Sequence, residues 1–349
     1  MQKEQFESIK NYYGKVLSSK NDLKSTACCS GEQIPSYLKH IIEKIHTEVR
    51  QKFYGCGVPI PPSLEGLKVL DLGSGSGRDC FLLSNLVGEK GQVIGVDMTD
   101  EQLATAKKHI PHHVKEFKQK KTNVDFRKGY IENLKDLDIA DQSIDLVVSN
   151  CVINLSPAKD KVFKEIFRVL KPGGELYFSD VFSDRRLNQN LRNDDVLLGE
   201  CLGGAMYTED FRRMLLSLGC ADFRTIAYSP IELTDPDILA KTGPIQFFSH
   251  TIRAFKLNLE DRCEDYGQCA TYQGSIEHFP HSFYLDDHHL FTAHKPMLVC
   301  SNTAKMLSQS RFGKHFSLQG DTSTHFGLFD CAPFGSSQNN SGANPAACC

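Results

Sequence analysis

Apolar runs alternate with amphipathic segments between residues 66 and 228. The apolar runs have the length and composition of buried strands, and there are five of them: KVLDL (68–72), QVIGVD (92–97), VDFRKG (124–129), IDLVVSN (144–150) and GELYFSDV (174–181). Helices are predicted between them, at 78–87, 100–118 and 158–170. This alternation predicts an α/β fold whose parallel sheet is covered on both faces and binds ligands at the carboxyl ends of its strands.

The segments on either side of this region follow other patterns. Residues 35–52 carry an apolar residue every three or four positions, which predicts one amphipathic helix with a single apolar face: Leu38, Ile41, Ile42, Ile45 and Val49. We therefore divide the chain into a helical N-terminal segment (1–60), the α/β domain (61–228), a smaller α+β domain (229–330) and a disordered tail (331–349) of small polar residues.

Composition narrows the class of protein. The chain has 349 residues, a formal net charge of −3 and no dense basic stripe, so nucleic acid is not an expected partner. It contains neither a run of about 18 apolar residues nor the apolar core of a signal peptide. We expect a monomer in the cytoplasm, without membrane attachment. In that reducing compartment the 13 cysteines are not expected to form a disulfide framework, which leaves metal or metalloid binding, redox chemistry and core packing.

A glycine-rich loop, DLGSGSGRD (71–79), joins the first strand to the first helix. Gly73, Gly75 and Gly77 let the backbone turn tightly and approach a ligand closely. Their spacing is GxGxG, whereas nicotinamide-binding loops have GxGxxG. Asp71 can accept hydrogen bonds from an amino group, and Asp97 at the end of the second strand can accept both hydroxyls of a ribose.

Other residues at the same edge of the sheet complete this candidate site. Met98, Ile131 and Glu132 are placed to pack around an adenine ring, and Asn150 closes the fourth strand. A plain turn also uses glycines, but it does not need the second acid in this order and spacing. Together the motifs resemble those of Rossmann-like S-adenosylmethionine methyltransferases over residues 66–228. The resemblance implies a class I methyltransferase domain with a helical N-terminal extension and a smaller α+β C-terminal domain.

Four cysteines stand in sequence settings that suggest chemistry: Cys28 in TACC, Cys56 in FYGCG, Cys151 in SNCVINL and Cys201 in GECLGGA. Cys151 ends the fourth strand, where cofactor and substrate should meet, and Cys201 can reach that place from the loop after the fifth strand. Free cysteine is often buried, so core packing is the alternative for each one taken alone. For three further cysteines, Cys80, Cys220 and Cys300, we prefer core packing.

The chain is similar to the arsenite methyltransferase family. The similarity rests on ACC, FYGCG, DLGSGSGRDC, SNCVINLSP, GELYFSDV and GECLGGA, which cover most of residues 12–206. EDRCEDYGQ and KPMLVCSNTA, further along the chain, resemble the C-terminal region of algal-type members. The resemblance implies methylation of trivalent arsenic with S-adenosylmethionine, a detoxification reaction that gives mono- and dimethylated products.

The resemblance also implies roles for the cysteines. Cys56, Cys151 and Cys201 hold the arsenic, whose lone pair takes the methyl group in line with the departing sulfur. Soft thiolates suit this thiophilic centre better than carboxylates or imidazoles do. Cys28, or its neighbour Cys29, acts as the redox cysteine, and a thiol reductant (glutathione or thioredoxin) supplies the electrons that reset the enzyme.

Two other functions use parts of the same pattern. A methyltransferase for a carbon or oxygen acceptor, such as a lipid or quinone, has the cofactor motifs but does not need the arsenic-binding cysteines. A non-enzymatic protein that binds arsenic through thiols needs the cysteines but not the glycine loop. Because the chain has both sets, we favour the enzyme.

The remaining polar clusters carry less information. Six cysteines and histidines of the smaller domain are possible zinc ligands: Cys263, Cys269, His278, His281, His288 and His289. Their spacing matches no standard zinc pattern, so we favour a loop-rich surface over a metal site. A vicinal pair, Cys348 and Cys349, ends the tail. We favour an inert tail over one that captures arsenite.

Overall fold

The computed structural model describes residues 34–53, 55 and 58–331. Five of the cysteines considered above lie outside the described residues: Cys28, Cys29, Cys56, Cys348 and Cys349. Within the described ranges the chain forms an α/β domain followed by a smaller α+β domain, so the predicted fold class is confirmed. None of the helices in this part of the chain combines the length and the apolar character that a bilayer crossing requires.

An eight-stranded sheet is the centre of the first domain. Its strands are β1 (Lys68–Leu72), β2 (Gln92–Asp97), β3 (Val124–Lys128), β4 (Ile144–Asn150), β5 (Leu170–Ser183), β6 (Met206–Tyr207), β7 (Phe223–Ile231) and β8 (Phe247–Phe255). They lie in the order β3-β2-β1-β4-β5-β8-β7, with the short β6 beside the end of β5. The first five strands are parallel, whereas β8 is antiparallel to both of its neighbours.

The domain boundary predicted at residue 228 falls inside this sheet. β7 spans that position, and β8 follows it and pairs with β5 from Glu175 opposite Phe255 to Ser183 opposite Phe247. An antiparallel strand needs no crossover helix, so the strand–helix spacing that identified the parallel strands does not identify β8. The smaller domain therefore begins after Phe255.

Helices cover both faces of the sheet. They are α1 (Ser36–Lys44), α2 (Thr47–Gln51), α3 (Arg78–Val87), α4 (Asp100–Lys108), α5 (Ile110–Glu116), α6 (Lys159–Val169), α7 (Gln189–Arg192), α8 (Asp195–Gly199), α9 (Thr208–Ser217) and α10 (Pro236–Thr242). Side chains alternate along a strand, so Val69 packs with α1, α2 and α3 while Leu70 packs with α6 and α9 on the other face. The result is one apolar core on each side of the sheet.

Two helices predicted as continuous are interrupted. The predicted helix 35–52 breaks at His46, whose ring accepts the Glu48 N–H at 3.2 Å and stacks on the His109 ring with centroids 3.7 Å apart. The predicted helix 100–118 breaks at His109, where Pro111 opens the next helix and has no N–H to donate. The apolar face of the first segment is nevertheless buried against α3, as its periodicity predicted.

The smaller domain has its own apolar core. Its elements are β9 (Glu264–Asp265), β10 (Cys269–Tyr272), β11 (Ser282–Tyr284), β12 (Leu290–Thr292), β13 (Pro296–Leu298), α11 (Ser301–Ser308), β14 (Phe316–Gln319) and β15 (Gly327–Leu328). β10 lies between β13 and β14, and short hairpin-like pairs join β11 to β12 and β9 to β15. Three phenylalanines form the centre of this core: Phe283, Phe291 and Phe312. Within the described residues, single 3-10 turns lie at Lys135–Leu137, Ile153–Leu155 and Gly313–His315.

Candidate active site

A cleft opens where β1, β2 and β4 end. It is lined by most of the residues predicted to bind the cofactor: Asp71, Gly73, Gly75, Asp97, Met98, Ile131, Glu132 and Asn150. Cys151 lies on the same wall. The cleft encloses about 1010 Å³ when its open mouth is included, which is the size of a site for a nucleotide-like molecule.

Backbone hydrogen bonds hold the glycine-rich loop after β1. The N–H groups of Gly73 and Ser74 donate to a carbonyl of β2 at 2.8 and 3.0 Å, and the Gly75 N–H donates to Asp97 Oδ2 at 2.8 Å. Gly73 has a φ of +77°, and a β-carbon at this position would overlap the Val152 side chain. Only glycine satisfies both conditions, so the bare loop backbone forms one wall of the cleft.

Asp97 shapes this loop as well as lining the cleft. One carboxylate oxygen accepts the Gly75 N–H, and the other accepts the Thr99 N–H at 2.8 Å. Burial raises the pKa of Asp97, while these hydrogen bonds act in the opposite direction. Each carboxylate oxygen has about two lone pairs, so both can still accept a bond from a ligand. The predicted contact with ribose hydroxyls stays a prediction.

Asp71 is buried beside two other acidic side chains. Burial, followed by the charges of Asp79 and Asp97, raises the pKa of Asp71 to about 8. The Cys80 thiol donates to its Oδ2 at 3.2 Å. Ser74 Oγ is also buried, and it has no hydrogen-bond partner in the described part of the chain. A cationic ligand with N–H donors would offset the clustered negative charge and satisfy this hydroxyl, so these residues fit S-adenosylmethionine, which carries an ammonium and a sulfonium.

We expect the affinity for S-adenosylmethionine to rise with pH up to about 8. A cationic ligand favours ionised Asp71, and below its pKa of about 8 a proton must leave before the ion pair forms. Affinity should therefore fall by up to about ten-fold per pH unit between pH 8 and pH 6. Calorimetric titration across this range measures the effect, with Asp71→Asn as a variant that binds weakly at every pH. An affinity equal at pH 6 and pH 8 would contradict this role for Asp71.

Asp79 is a cleft residue that the sequence analysis missed. Its carboxylate accepts Asn150 Nδ2 at 3.1 Å and Arg78 Nε at 2.7 Å, and the Arg78 guanidinium lies 3.3 Å from the centre of the Phe53 ring. Asn150 is thus oriented by Asp79. The position of an acid in the first turn after the glycine loop is the signal that could have identified it. Other lining residues carried no such signal: Lys52, Phe53, Ser76, Thr99, Gln102, Gly129, Tyr130, Val152, Leu155 and Ser156.

Gly77 is not among the residues that line the cleft, and its predicted contact with the cofactor stays a prediction. It begins α3 as the N-cap residue. A β-carbon there would lie 2.7 Å from the Phe126 ring, on the side of the apolar core. The third glycine of the loop therefore lets the helix pack on the sheet.

Cys151 and Cys201 share an uncommon backbone conformation. Their φ angles are +56° and +61°, in the left-handed region that residues other than glycine rarely adopt. Such a conformation costs about 1–3 kcal/mol and is concentrated at functional sites. Cys151 follows β4 directly and is disulfide-bonded, whereas none of the seven other cysteines within the described ranges is in a disulfide. The two strained positions are the two strongest sequence candidates for arsenic ligands.

Cys201 reaches Cys151 from the loop after α8. Its Sγ donates to the Cys151 carbonyl oxygen at 3.4 Å, and its side chain is fully buried. The loop packs closely on the segment after Cys151, because a β-carbon on Gly204 would overlap the Asn154 backbone. The Lys159 ammonium, whose pKa burial lowers to about 8, interacts electrostatically with Cys201. The structure therefore brings a second thiol and a cation to the end of β4.

The chain segment that contains Gly55 and precedes β1 also lies close to the end of β4. A β-carbon on Gly55 would lie 2.7 Å from the Asn150 side chain. Gly55 precedes Cys56 in the sequence, and Asn150 precedes Cys151. Cys56 and Cys28 lie outside the described residues, so their roles stay predictions.

The other cysteines of the first domain have the surroundings of packed side chains. Burial raises the pKa of Cys80 well above its usual value, and this thiol donates to Asp71. Burial also raises the pKa of Cys220 to about 12, and its Sγ donates to the Asp222 carbonyl oxygen at 3.4 Å. Both thiols remain protonated at neutral pH, in agreement with the packing role preferred for them.

The group of cysteines and histidines considered for zinc is divided in the structure. Cys263 lies near Cys300 and Cys331, whereas His288 and His289 lie near Asp286. Cys269 is a free, half-buried residue of β10. The residues predicted as one loop-rich surface therefore belong to separate groups of the smaller domain, and Cys263 and His289 are buried.

The chain is similar in sequence to known methyltransferases. Residues 63–219 match a family model described as a methyltransferase domain, and residues 266–345 match one described as an arsenite methyltransferase C-terminal domain. An arsenite methyltransferase from Aquipseudomonas alcaligenes is 51% identical over 346 residues, which are 98% of this chain and 99% of that protein. The arsenite methyltransferase of Mus musculus is 40% identical over 310 residues, 88% of this chain and 82% of that protein.

A solved structure gives the same result for the fold. The crystal structure of an arsenic(III) S-adenosylmethionine methyltransferase from Chlamydomonas reinhardtii is similar to this chain with a TM-score of 0.83 and 48% sequence identity, over 85% of this chain and 100% of that one. The predicted Rossmann-like methyltransferase fold is confirmed by this match and by the parallel sheet. The chain belongs to the arsenite methyltransferase family.

Proposed function

We propose that this enzyme methylates trivalent arsenic held by the sulfur atoms of Cys56, Cys151 and Cys201. One observation carries the proposal. Cys151 lines the cofactor cleft, and the buried Cys201 Sγ lies 3.4 Å from the Cys151 carbonyl oxygen, so Cys201 contacts a residue of the cleft wall. The contact between Gly55 and Asn150 supports Cys56 as the third sulfur.

Different residues of the cleft bind different parts of the methyl donor. The carboxylate of Asp71 and the hydroxyl of Ser74 receive the ammonium group, and Asp97 receives the ribose hydroxyls. Met98, Ile131 and Glu132 also line the cleft and would pack around the adenine. S-adenosylmethionine, when bound, supplies an electrophilic methyl group. The cysteines at and near the end of β4 would hold the acceptor beside the bound donor.

The chemistry of arsenic explains why the site is made of sulfur. Trivalent arsenic takes three soft ligands in a pyramid and keeps a lone pair on the open side, so thiolates suit it better than oxygen ligands. The lone pair forms the arsenic–carbon bond as the donor's sulfur–carbon bond breaks, and the protein needs no strong general base. Positioning of the two reactants can contribute about 7–11 kcal/mol in favourable cases. Rigid placement of Cys151 and Cys201 serves this purpose.

A redox step completes the cycle that we propose. Methylation takes arsenic formally from the trivalent to the pentavalent state, and two thiols that form a disulfide return two electrons. We assign Cys28 to this step, with glutathione or thioredoxin as the thiol that reduces the disulfide afterwards. The disulfide at Cys151 supports a site whose sulfurs change oxidation state. Detoxification with mono- and dimethylated products follows from this cycle.

The division of roles among the cysteines predicts a substrate-dependent effect. Cys56→Ser should abolish methylation of arsenite but spare a trivalent monomethylated substrate, because that substrate needs only two protein sulfurs. The measurement is methylated product with each substrate, in the presence of S-adenosylmethionine and glutathione, separated by chromatography with arsenic-specific detection. Cys269→Ser, a free cysteine in the other domain, is the matched control and should behave as wild type.

Wild-type protein in the same assay tests the proposed function itself. Mono- and dimethylated arsenic are the expected products. Folded protein that binds the cofactor but forms no methylated arsenic would refute the substrate. Transfer to a quinone or lipid instead would favour the carbon- or oxygen-acceptor class, and arsenic binding without turnover would favour a sequestering protein.

A further inference from the structure

Three cysteines far apart in the sequence meet in the smaller domain. Cys263 precedes β9, Cys300 precedes α11 and Cys331 follows β15. Their Sγ atoms all lie within 4.8 Å of one another, and the side chains are buried, with exposures of 5%, 0% and 6%. None of the three is in a disulfide. We refer to them as the C-terminal thiol cluster.

The cluster is separate from the methyl-transfer site. None of its members lines the cofactor cleft. Its apolar surroundings include Phe329 in the same small cluster of packed side chains. Neither cofactor binding nor methyl transfer therefore explains three converging sulfur atoms here.

Cys300 is held in position by several hydrogen bonds. Its Sγ accepts the Thr303 N–H at 3.4 Å and thereby caps α11, and Arg224 Nη2 approaches at 3.9 Å. Hydrogen bonds from Cys263 and Cys331, together with the Arg224 charge, hold the pKa of the Cys300 thiol below its usual value. The cluster therefore holds the Cys300 sulfur in a fixed position, with the sulfurs of Cys263 and Cys331 within 4.8 Å of it.

The number of sulfurs and the nearby charges favour a particular occupant. In the described part of the chain, no histidine or carboxylate joins the three cysteines in this cluster, whereas structural zinc sites use four ligands. Arg224 is already paired with Asp222 at 2.7 Å and Asp286 at 3.2 Å. Zinc with three thiolates would leave an added negative charge in this buried place, whereas trivalent arsenic with three thiolates is neutral.

We propose that the C-terminal thiol cluster binds a second trivalent arsenic, which is not methylated. Three arsenic–sulfur bonds form as three arsenic–oxygen bonds of arsenous acid break, and the three thiol protons leave with the hydroxyl groups as three water molecules. No oxidant or reductant is needed. The proposal is independent of methyl transfer, and its effect is to tie together the three segments that carry the cysteines.

Arsenic content per chain tests this proposal. The full chain is reduced with a phosphine, incubated with excess arsenite and desalted, and bound arsenic is measured by mass spectrometry. Wild type should retain about two arsenic atoms and Cys300→Ser about one, and serine still caps the helix. Cys269→Ser, in the same domain, should retain about two. Arsenite should also raise the melting temperature of Cys201→Ser, because the ligand binds the folded state.

Several outcomes would overturn the proposal. Equal arsenic contents in wild type and Cys300→Ser would do so, as would zinc in the purified protein that arsenite does not displace. Cys263→Ser gives the same comparison if Cys300→Ser does not fold. X-ray absorption on arsenic-loaded Cys201→Ser should show three sulfur neighbours, and oxygen neighbours would contradict the cluster. Methylation by Cys300→Ser should equal that of wild type, so failure of the proposed function and failure of this site are distinguishable.

Discussion

Cys201→Ser is expected to lower arsenic methylation by at least about 100-fold. Loss of a group that only orients a metal ligand already costs about 10–100-fold, and this change removes a proposed ligand itself. Serine retains the size of the side chain and can donate to the Cys151 carbonyl oxygen as the thiol does, so the loop should remain folded. The effect should appear with arsenite and with a trivalent monomethylated substrate, because both need the sulfur pair.

Total methylated arsenic per unit time measures this effect, and calorimetry measures cofactor affinity in the same preparations. Cofactor affinity should be unchanged, because Cys201 does not line the cleft. Cys220→Ser is the matched control, since it removes another buried thiol of the same domain that also donates to a carbonyl oxygen. Wild-type rates from Cys201→Ser would eliminate Cys201 as an arsenic ligand.

Reduction of the disulfide at Cys151 is expected to switch on arsenic binding at the cleft. A sulfur in a disulfide has no thiolate to offer, so the oxidised chain lacks the ligand that lines the cofactor site. The comparison is made in Cys300→Ser, which removes the C-terminal thiol cluster from the count. Arsenic content should change from about zero in the oxidised protein to about one after reduction.

The control for this second prediction is wild-type protein, which retains the C-terminal thiol cluster. None of the cluster's three cysteines is in a disulfide in the structure, so oxidised wild-type protein should already retain about one arsenic atom. If oxidised Cys300→Ser binds arsenite as tightly as the reduced form does, the disulfide does not regulate the site.

The part of the fold that the sequence predicted is the part built from local patterns. β1, β2 and β4 occupy the predicted ranges because each is a short apolar run bounded by a turn or helix. The glycine-rich loop and Asp97 are brought together because consecutive parallel strands place their carboxyl ends side by side. The sequence therefore predicted most of the residues that line the cleft, and their contacts with the cofactor stay predictions.

The features that the sequence did not predict depend on contacts between distant residues. The break at His46 results from its ring stacking on His109, and no local pattern reveals that contact. The left-handed backbone at Cys151 and Cys201 is equally hidden, because cysteine has no preference for it. The cluster of Cys263, Cys300 and Cys331 forms only when three segments of the smaller domain fold together.

A single-turnover measurement tests most directly whether arsenic bound beside the cleft is the methyl acceptor. Reduced Cys300→Ser protein would be loaded with one equivalent of arsenite, desalted and mixed with S-adenosylmethionine that carries a labelled methyl group. We predict that the bound arsenic is methylated in the first turnover, and that the same protein carrying Cys201→Ser as well forms no product. Bound arsenic that stays unmethylated while the labelled cofactor occupies the cleft would contradict the account.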